Sequence, residues 1–228
     1  SALHHPFPGW IDGFKVADPL IIAYGRGQLP DFPGLPDSVL DVIPVDFVVN
    51  ATIAAAANPP ERTTPQYFQV VSGASNPLPF HAMYGNVREY FLQNPLPSED
   101  GDVAVPTWKF PGEARVEREL LDAEQRLAKA DQRVNTMRGS KRSRRIVDQI
   151  QKAGADLEVL RGFTELYRAY VQSELIFDDT NTRALDLALP AEIRADLGFD
   201  VTDIDWTDYF QRVHFPAITT MTRAFASR

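Results

Sequence analysis

The feature that most constrains the fold is a seven-residue repeat of apolar side chains in the second half of the chain. Apolar residues recur at alternating steps of four and three, at positions 116, 120, 123, 127, 130, 134 and 137. The spacing largely continues from Ile146 to Val171. This alternation places the side chains on one stripe of an α-helix, and such a stripe must be covered. The sequence therefore predicts two long helices that pair as a hairpin over residues 113–175.

The first half of the chain has short apolar runs separated by turn residues. Residues 47–57 are almost entirely apolar and end before Pro59, which predicts a buried helix whose first turn is capped by Asp46. The run Tyr67–Gly73 is rich in aromatic and β-branched residues, and Pro79–Leu92 follows with helical spacing. A strand followed by a helix is typical of α/β folds.

Composition changes at a polar, proline-punctuated stretch near the middle of the chain, which fits a linker. The predicted organisation is one region at 1–95, a linker at 96–112 and a helical region at 113–228, of which 113–175 is the hairpin and 176–228 a tail of short helices. An aromatic and aliphatic group stands in the tail, and it is either core or the lining of an apolar pocket. Its members are Ile204, Trp206, Tyr209, Phe210, Val213 and Phe215.

Charge and cysteine content exclude several classes of function. The 228 residues carry a formal net charge of −8, which argues against binding to the phosphates of nucleic acids. There is no cysteine, so disulfides and thiolate chemistry are excluded. The first residues do not form a secretory signal, and the most apolar run is shorter than the roughly 20 residues that span a membrane. We expect a cytoplasmic protein.

Common catalytic motifs are missing from the sequence. The four histidines have no zinc-site spacing, there is no G-x-S-x-G, and Gly25 and Gly27 are followed by Pro30 where a dinucleotide-binding loop needs a third glycine. A basic cluster interrupts the heptads of an otherwise acidic chain. It is either a solvated turn or a contact for anionic lipid or for the phosphates of a ligand. The cluster consists of Arg138, Lys141, Arg142, Arg144 and Arg145.

Three separated stretches resemble the fatty acyl-CoA reductases. Ser1–Gly13, which contains Pro-Gly-Trp-Ile, is similar to the segment after the sixth sheet strand of the dinucleotide-binding domain of this family. Residues 41–50 and 67–77 are similar to a later helix and strand of extended short-chain dehydrogenases. Residues 177–214, with Asp-Trp and a following histidine, resemble the C-terminal male-sterility domain of the same reductases.

The resemblance implies a fold class and an origin. The implied fold is an α/β remnant, the C-terminal part of an extended short-chain dehydrogenase Rossmann domain, followed by a mostly α-helical domain with the long helical hairpin. The tail at 176–228 corresponds to the male-sterility domain. The hairpin is the part that resembles the family least, and it is interpreted as the mark of a bacterial subfamily.

The resemblance also implies an activity. Fatty acyl-CoA reductases transfer a hydride from NADPH to the thioester of a long-chain acyl-CoA, which gives an aldehyde and often an alcohol. The tyrosine that donates the proton and its neighbouring lysine belong to a Tyr-x-x-x-Lys motif upstream of the segment that matches Ser1. This chain lacks the motif, since the nearest candidate has Tyr84 followed by Arg88. The chain is therefore interpreted as the substrate-side part of such a reductase, inactive alone, with no catalytic residue and no metal site of its own.

Site residues are assigned by family position. The residues expected near the nicotinamide are Ser1, Ala2 and Leu3. Those expected to border the thioester cleft are Pro6, Phe7, Pro8, Gly9 and Trp10. The basic cluster is a candidate for contact with the phosphates of coenzyme A or with a membrane surface. The expected partners are an acyl-CoA, the upstream domain of the same protein and, peripherally, a membrane. Two alternatives stay open: a helical interaction or membrane-docking module, and an extended dehydrogenase that acts on another thioester.

Overall fold

The structure, a computed structural model, describes residues 1–14, 17–27, 35–59, 65–98, 101–107, 113–135 and 175–226, together with positions 147, 150, 151, 154, 157, 158, 161 and 162. The chain forms two compact units. One comprises Ser1–Gln28, Pro36–Pro106 and Glu174–Arg228, and the other comprises Leu29–Leu35 and Thr107–Ser173. The tail and the N-terminal region thus belong to one unit, while the three-part division of the sequence into domains stays a prediction.

Most of the described residues are helical. In chain order, the elements are α1 (Asp18–Gly25), β1 (Val39–Leu40), α2 (Val45–Ala57), β2 (Leu78–Pro79), α3 (Phe80–Gln93), β3 (Pro97–Ser98), β4 (Gly101–Asp102), α4 (Glu113–Asn135), α5 (Thr180–Leu187), α6 (Ala191–Leu197), a 3₁₀ turn (Val201–Asp203), α7 (Trp206–Asp208), a π-helical segment (Tyr209–His214) and α8 (Phe215–Ala226). In these ranges no helix combines the length and the apolar character that crossing a lipid bilayer requires.

The strands form two antiparallel ladders of two residues each. β1 pairs with β2, with Leu40 opposite Leu78, and β3 pairs with β4. The strand predicted at Tyr67–Gly73 is absent, and side chains outside any strand bond its backbone instead. Asn181 donates to the Tyr67 carbonyl at 2.9 Å, and Thr182 donates to the Gln69 carbonyl at 2.7 Å. The described ranges are mostly helical, as predicted for the second part of the chain, whereas the Rossmann remnant predicted for the first part stays a prediction.

Helix α2 confirms the apolar helix predicted before Pro59, but only one side of it is buried and its predicted cap is wrong. The residue before its first turn is Pro44, and no side chain caps the helix. The Asp46 carboxylate instead accepts hydrogen bonds from backbone amides of residues 3–5. The N-terminal segment offers donors outside any helix or ladder, and these compete successfully for the buried carboxylate.

Helix α1 was not predicted, because its sequence lacks a polar face. Asp18 and Pro19 open the helix, and proline suits a first turn because its missing N–H has no partner there. Leu20, Ile21, Ile22 and Tyr24 are buried. A short helix that is apolar on all sides gives no 3.6-residue periodicity to detect.

The tail contains short helices as predicted, and its last helix begins at Trp206. Asp205 caps this helix by accepting from the Asp208 amide at 2.9 Å. The helix continues past Pro216, and the turns just before the proline are π-helical. Proline has no N–H to donate to the carbonyl four residues earlier, so the regular ladder is interrupted here.

The aromatic group of the tail is core. Ile204, Tyr209, Phe210 and Phe215 are at most 5% exposed. The rings of Phe210 and Phe215 stack with centroids 5.1 Å apart. This packing confirms the core interpretation for these four residues over that of a pocket lining.

The second unit contains the heptad helix α4. The heptad positions Ala123, Leu127 and Ala130 are half-buried, whereas most of their described neighbours are exposed. The described positions between 147 and 162 are also helical, and Arg161 donates to Glu124 at 2.7 Å. The turn between the predicted arms lies outside the described residues, and the hairpin over residues 113–175 stays a prediction.

Candidate functional site

The N-terminal segment is fixed by one buried carboxylate on α2. Asp46 is 4% exposed, and its Oδ1 accepts from the Leu3 amide at 2.9 Å. Its Oδ2 accepts from the amides of His4 and His5 at 2.7 and 3.1 Å. A buried carboxylate is stable only when its oxygens are satisfied, and charge-assisted bonds to amides are among the stronger hydrogen bonds. Residues 3–5 are therefore held in one backbone conformation.

A closed loop follows this anchor and presents apolar side chains to solvent. The Ala2 amide donates to the Trp10 carbonyl at 2.9 Å, and the Gly9 amide donates to the Ala2 carbonyl at 3.0 Å. Ala2 is fully buried at the base of this loop. Phe7 and Trp10 are 58% and 37% exposed. Exposed aromatic side chains on a closed backbone suit the binding of an apolar ligand.

The loop rests on the C-terminal helix through Gly9. This residue has a φ of 85°, which side-chain-bearing residues rarely adopt. A Cβ at this position would lie 3.4 Å from both the Ala217 Cβ and the Val213 carbonyl oxygen. Glycine thus permits both the backbone turn and the close approach of the loop to the end of the chain.

A buried polar chain links Ser1 to α1 and to the last helix. The Oγ of Ser1 lies 3.2 Å from Nδ1 of His214, and Nε2 of the same ring lies 3.1 Å from Oδ1 of Asp18. The side chains of His214 and Asp18 are 11% and 7% exposed. A carboxylate beside Nε2 requires a proton on that nitrogen, so Nδ1 of the neutral ring accepts the hydrogen bond of the Ser1 hydroxyl.

Tyr209 supports the same segment from one turn earlier in the helix. Its hydroxyl donates to the Ser1 carbonyl at 2.9 Å, and its ring stacks on that of His214 with centroids 5.8 Å apart. Burial raises the pKa of Tyr209 to about 12, the hydrogen bond with Ser1 opposes the rise, and the charges of Asp46 and Asp18 add to it. The phenol is thus neutral at physiological pH and acts as a hydrogen-bond donor.

The structure brings together some of the residues assigned from the sequence. Residues 1–3 and 6–10 form one loop and its base, packed on α2 and the last helix. The basic cluster at 138–145 lies outside the described residues. Sequence reasoning missed the roles of Asp18, Tyr209 and His214. The available signals were an acidic residue at the head of an apolar run and a histidine among core aromatics, but no spacing rule connects them.

The start of the chain matches the model of a known protein family. Residues 1–52 match an NAD-binding family whose description is "Male sterility protein". The match falls on the N-terminal side of the chain and includes residues 1–10 and most of α2. The male-sterility-like tail at 176–228 stays a prediction.

Comparison with individual proteins identifies similar enzymes by name. The chain is 34% identical to "Probable fatty acyl-CoA reductase 4" of Arabidopsis thaliana and 31% identical to "Alcohol-forming fatty acyl-CoA reductase" of Simmondsia chinensis, in each case over 96% of its length. It is 32% identical to "Fatty acyl-CoA reductase 2, chloroplastic" of Arabidopsis thaliana, also over 96%. It covers 45%, 45% and 36% of these proteins, respectively. The chain is therefore a homologue of the fatty acyl-CoA reductases, as its motifs indicated, and spans less than half of their length. Its bacterial origin stays a prediction.

Proposed function

We propose that this chain is the C-terminal, substrate-side part of an NADPH-dependent fatty acyl-CoA reductase that converts a long-chain acyl-CoA to an aldehyde or alcohol. The names of the relatives support the reaction class. The observation that carries the proposal is the closed loop of residues 2–10, which exposes Phe7 and Trp10 while Asp46 and Gly9 fix its backbone.

The residues assigned to the cofactor fit one side of a nicotinamide site. Ser1 and Leu3 are half-exposed on a segment whose backbone is fixed, and Ala2 between them is buried. When bound, NADPH supplies the hydride. The chain has no glycine-rich phosphate loop, so we assign the rest of the cofactor to an upstream domain. This assignment also makes the chain inactive alone.

An exposed apolar face on α2 supports such an upstream domain. Phe47, Ala51 and Ala54 are buried on one side of the helix, while Val48, Val49 and Ile53 on the other side are 41%, 49% and 61% exposed. A helix that is apolar all round is normally covered on both sides. The upstream domain is the partner proposed for this face.

The apolar loop is the proposed border of the thioester cleft. Pro6, Phe7, Pro8 and Trp10 offer rigid apolar surface, and Gly9 lets the loop pack closely on the last helix. The basic cluster at 138–145 is proposed to meet the phosphates of coenzyme A or an anionic membrane surface, which implies a cytoplasmic protein that contacts membranes peripherally.

The test is NADPH oxidation with palmitoyl-CoA, by this chain and by the extended protein, which is the chain together with the upstream sequence of its own gene. We expect turnover only in the extended protein. Trp10→Ala should lower kcat/KM about tenfold, since an aromatic side chain that bound substrate covers contributes about 1–2 kcal/mol. Tyr67→Ala removes a 70% exposed aromatic side chain outside the loop and should change kcat/KM less than about twofold.

Each contrary outcome has a distinct meaning. Turnover by the chain alone would contradict the assignment of the catalytic half to the upstream domain. A lack of turnover in the extended protein would overturn the acyl-CoA reductase assignment. If vesicles of anionic lipid still bound that inactive protein, the alternative of a membrane-docking module would be favoured.

A further inference from the structure

In a histidine of the last helix, one ring nitrogen faces the proposed reaction site. Nε2 of His214 is committed to the Asp18 carboxylate at 3.1 Å in either protonation state of the ring. The other nitrogen, Nδ1, lies 3.2 Å from the Ser1 hydroxyl. Because the ring is largely buried, Ser1 is the route that the geometry offers for proton transfer to and from Nδ1.

The surroundings of the ring keep this arrangement in place. Tyr209 stacks on one face of the imidazole, and Phe210 and Phe215 contact it with ring centroids at 6.0 and 5.7 Å. The titratable groups around it are Asp18 on α1, Tyr209 on its own helix, the amino group of Ser1, which lies 3.4 Å from the Tyr209 hydroxyl, and Asp46 of α2. A purely structural ion pair would not require that the second nitrogen face a half-exposed hydroxyl.

Reduction of a thioester to an aldehyde takes up one proton overall, and this proton ends on sulfur. Any proton that the carbonyl oxygen gains during hydride transfer is released again when the C=O bond re-forms. When the carbon–sulfur bond breaks, its electron pair leaves on the sulfur of coenzyme A, and the thiolate must be protonated to leave as a thiol. A positioned acid lowers the barrier of such a step. This requirement vanishes when the departing thiol is strongly acidic, because its thiolate is a good leaving group without protonation.

We propose that Ser1, backed by His214 and Asp18, donates the proton to the departing thiolate, an inference that rests on the function proposed above. The acyl carbon gains the hydride and is reduced by two electrons, the cofactor is oxidised, and the carbon–sulfur bond breaks. The Ser1 hydroxyl gives its proton to sulfur and receives one from Nδ1 of the doubly protonated His214. The ring ends neutral, with Nε2–H still donating to Asp18, and solvent restores the proton.

The leaving group of the substrate tests this step in the extended protein. With palmitoyl-CoA, Ser1→Ala and His214→Gln should each lower kcat by at least about tenfold, whereas the palmitoyl thioester of 4-nitrothiophenol should be reduced with less than about a twofold loss. Ser1→Ala leaves the Asp18–His214 pair intact, so it carries the test if His214→Gln fails to fold. The control His81→Gln alters an exposed histidine of α3 and should leave both rates unchanged.

The outcomes separate the inference from the proposed function. Equal losses on both thioesters would assign Ser1 and His214 a structural role and overturn the proposal, and so would an absence of loss on palmitoyl-CoA. If the unaltered extended protein reduced neither thioester, the proposed function would fall and this inference with it.

A spectroscopic measurement tests the relay without turnover. Nitrogen NMR of labelled histidines in the extended protein should show that the neutral ring of His214 carries its proton on Nε2 and not on Nδ1. Asp18→Asn should allow the other tautomer, because the amide can donate to Nε2. A neutral His214 with its proton on Nδ1 in the unaltered protein would overturn the proposal.

Discussion

The anchor of the N-terminal segment can be tested with the substitution Asp46→Asn. The native carboxylate accepts three backbone amides, those of Leu3, His4 and His5. Asparagine has a single carbonyl oxygen, so at best it keeps the two bonds to His4 and His5 and turns its NH₂ group toward the Leu3 amide. One charge-assisted bond is lost, at about 1.5–3 kcal/mol, and the other two become weaker neutral bonds.

Together, the lost bond and the two weakened bonds should lower the free energy of local opening by about 3 kcal/mol. This change corresponds to about 100-fold faster hydrogen exchange at the Leu3 amide. The assay is residue-resolved hydrogen exchange of the whole chain, with smaller increases expected at His4 and His5. The control is Asp37→Asn, since the Asp37 side chain is 95% exposed, and exchange at residues 3–5 should not change. An Asp46→Asn protein in which Leu3 exchanges within about threefold of the native rate would refute the reasoning.

Two further substitutions test the packing around this anchor. Burial raises the folded pKa of Tyr209 to about 12 from its ordinary 10.0, so its contribution to stability is fully present below pH 10 and is lost as the pH rises toward 12. Between pH 10 and pH 12, the free energy of unfolding in urea should therefore fall by about 3 kcal/mol less for Tyr209→Phe than for the native chain. An equal fall in both proteins would contradict the raised pKa of Tyr209. Gly9→Ala places a side chain at a φ of 85° and should destabilise the chain by about 1–2 kcal/mol. The matched change Gly85→Ala, inside α3 with open space around the Cβ, should instead stabilise by about 0.5–1 kcal/mol, and equal effects of the two would show that backbone strain is not responsible.

Helices with a clear boundary or period could be predicted from the sequence. The apolar run before Pro59 became α2, the helical spacing after Pro79 became α3, and the seven-residue repeat became α4. In each case the information is local, because the apolar period and the prolines that bound a helix act within a few turns of the chain. Helix α1 could not be predicted in this way, because an apolar stretch without a polar face shows no 3.6-residue period.

Relationships that depend on distant residues could not be predicted. The run at Tyr67–Gly73 has the composition of a strand, but side chains of α5 donate to two of its carbonyls, those of Tyr67 and Gln69. Asp46 looked like a helix cap, but three amides from the start of the chain bind it. In both cases, the hydrogen-bond partner is chosen by tertiary packing, which local composition does not encode.

The sequence by itself determined the family and assigned residues 1–3 and 6–10 to the candidate site, since the motifs in residues 1–13, 41–50 and 177–214 carry the resemblance. Only the tertiary structure decided what supports these segments. Asp18 and His214 lie near opposite ends of the chain, and only folding brings them within 3.1 Å of one another and next to Ser1. A buried carboxylate and a buried imidazole become an interacting pair through burial and distance, and local sequence encodes neither quantity.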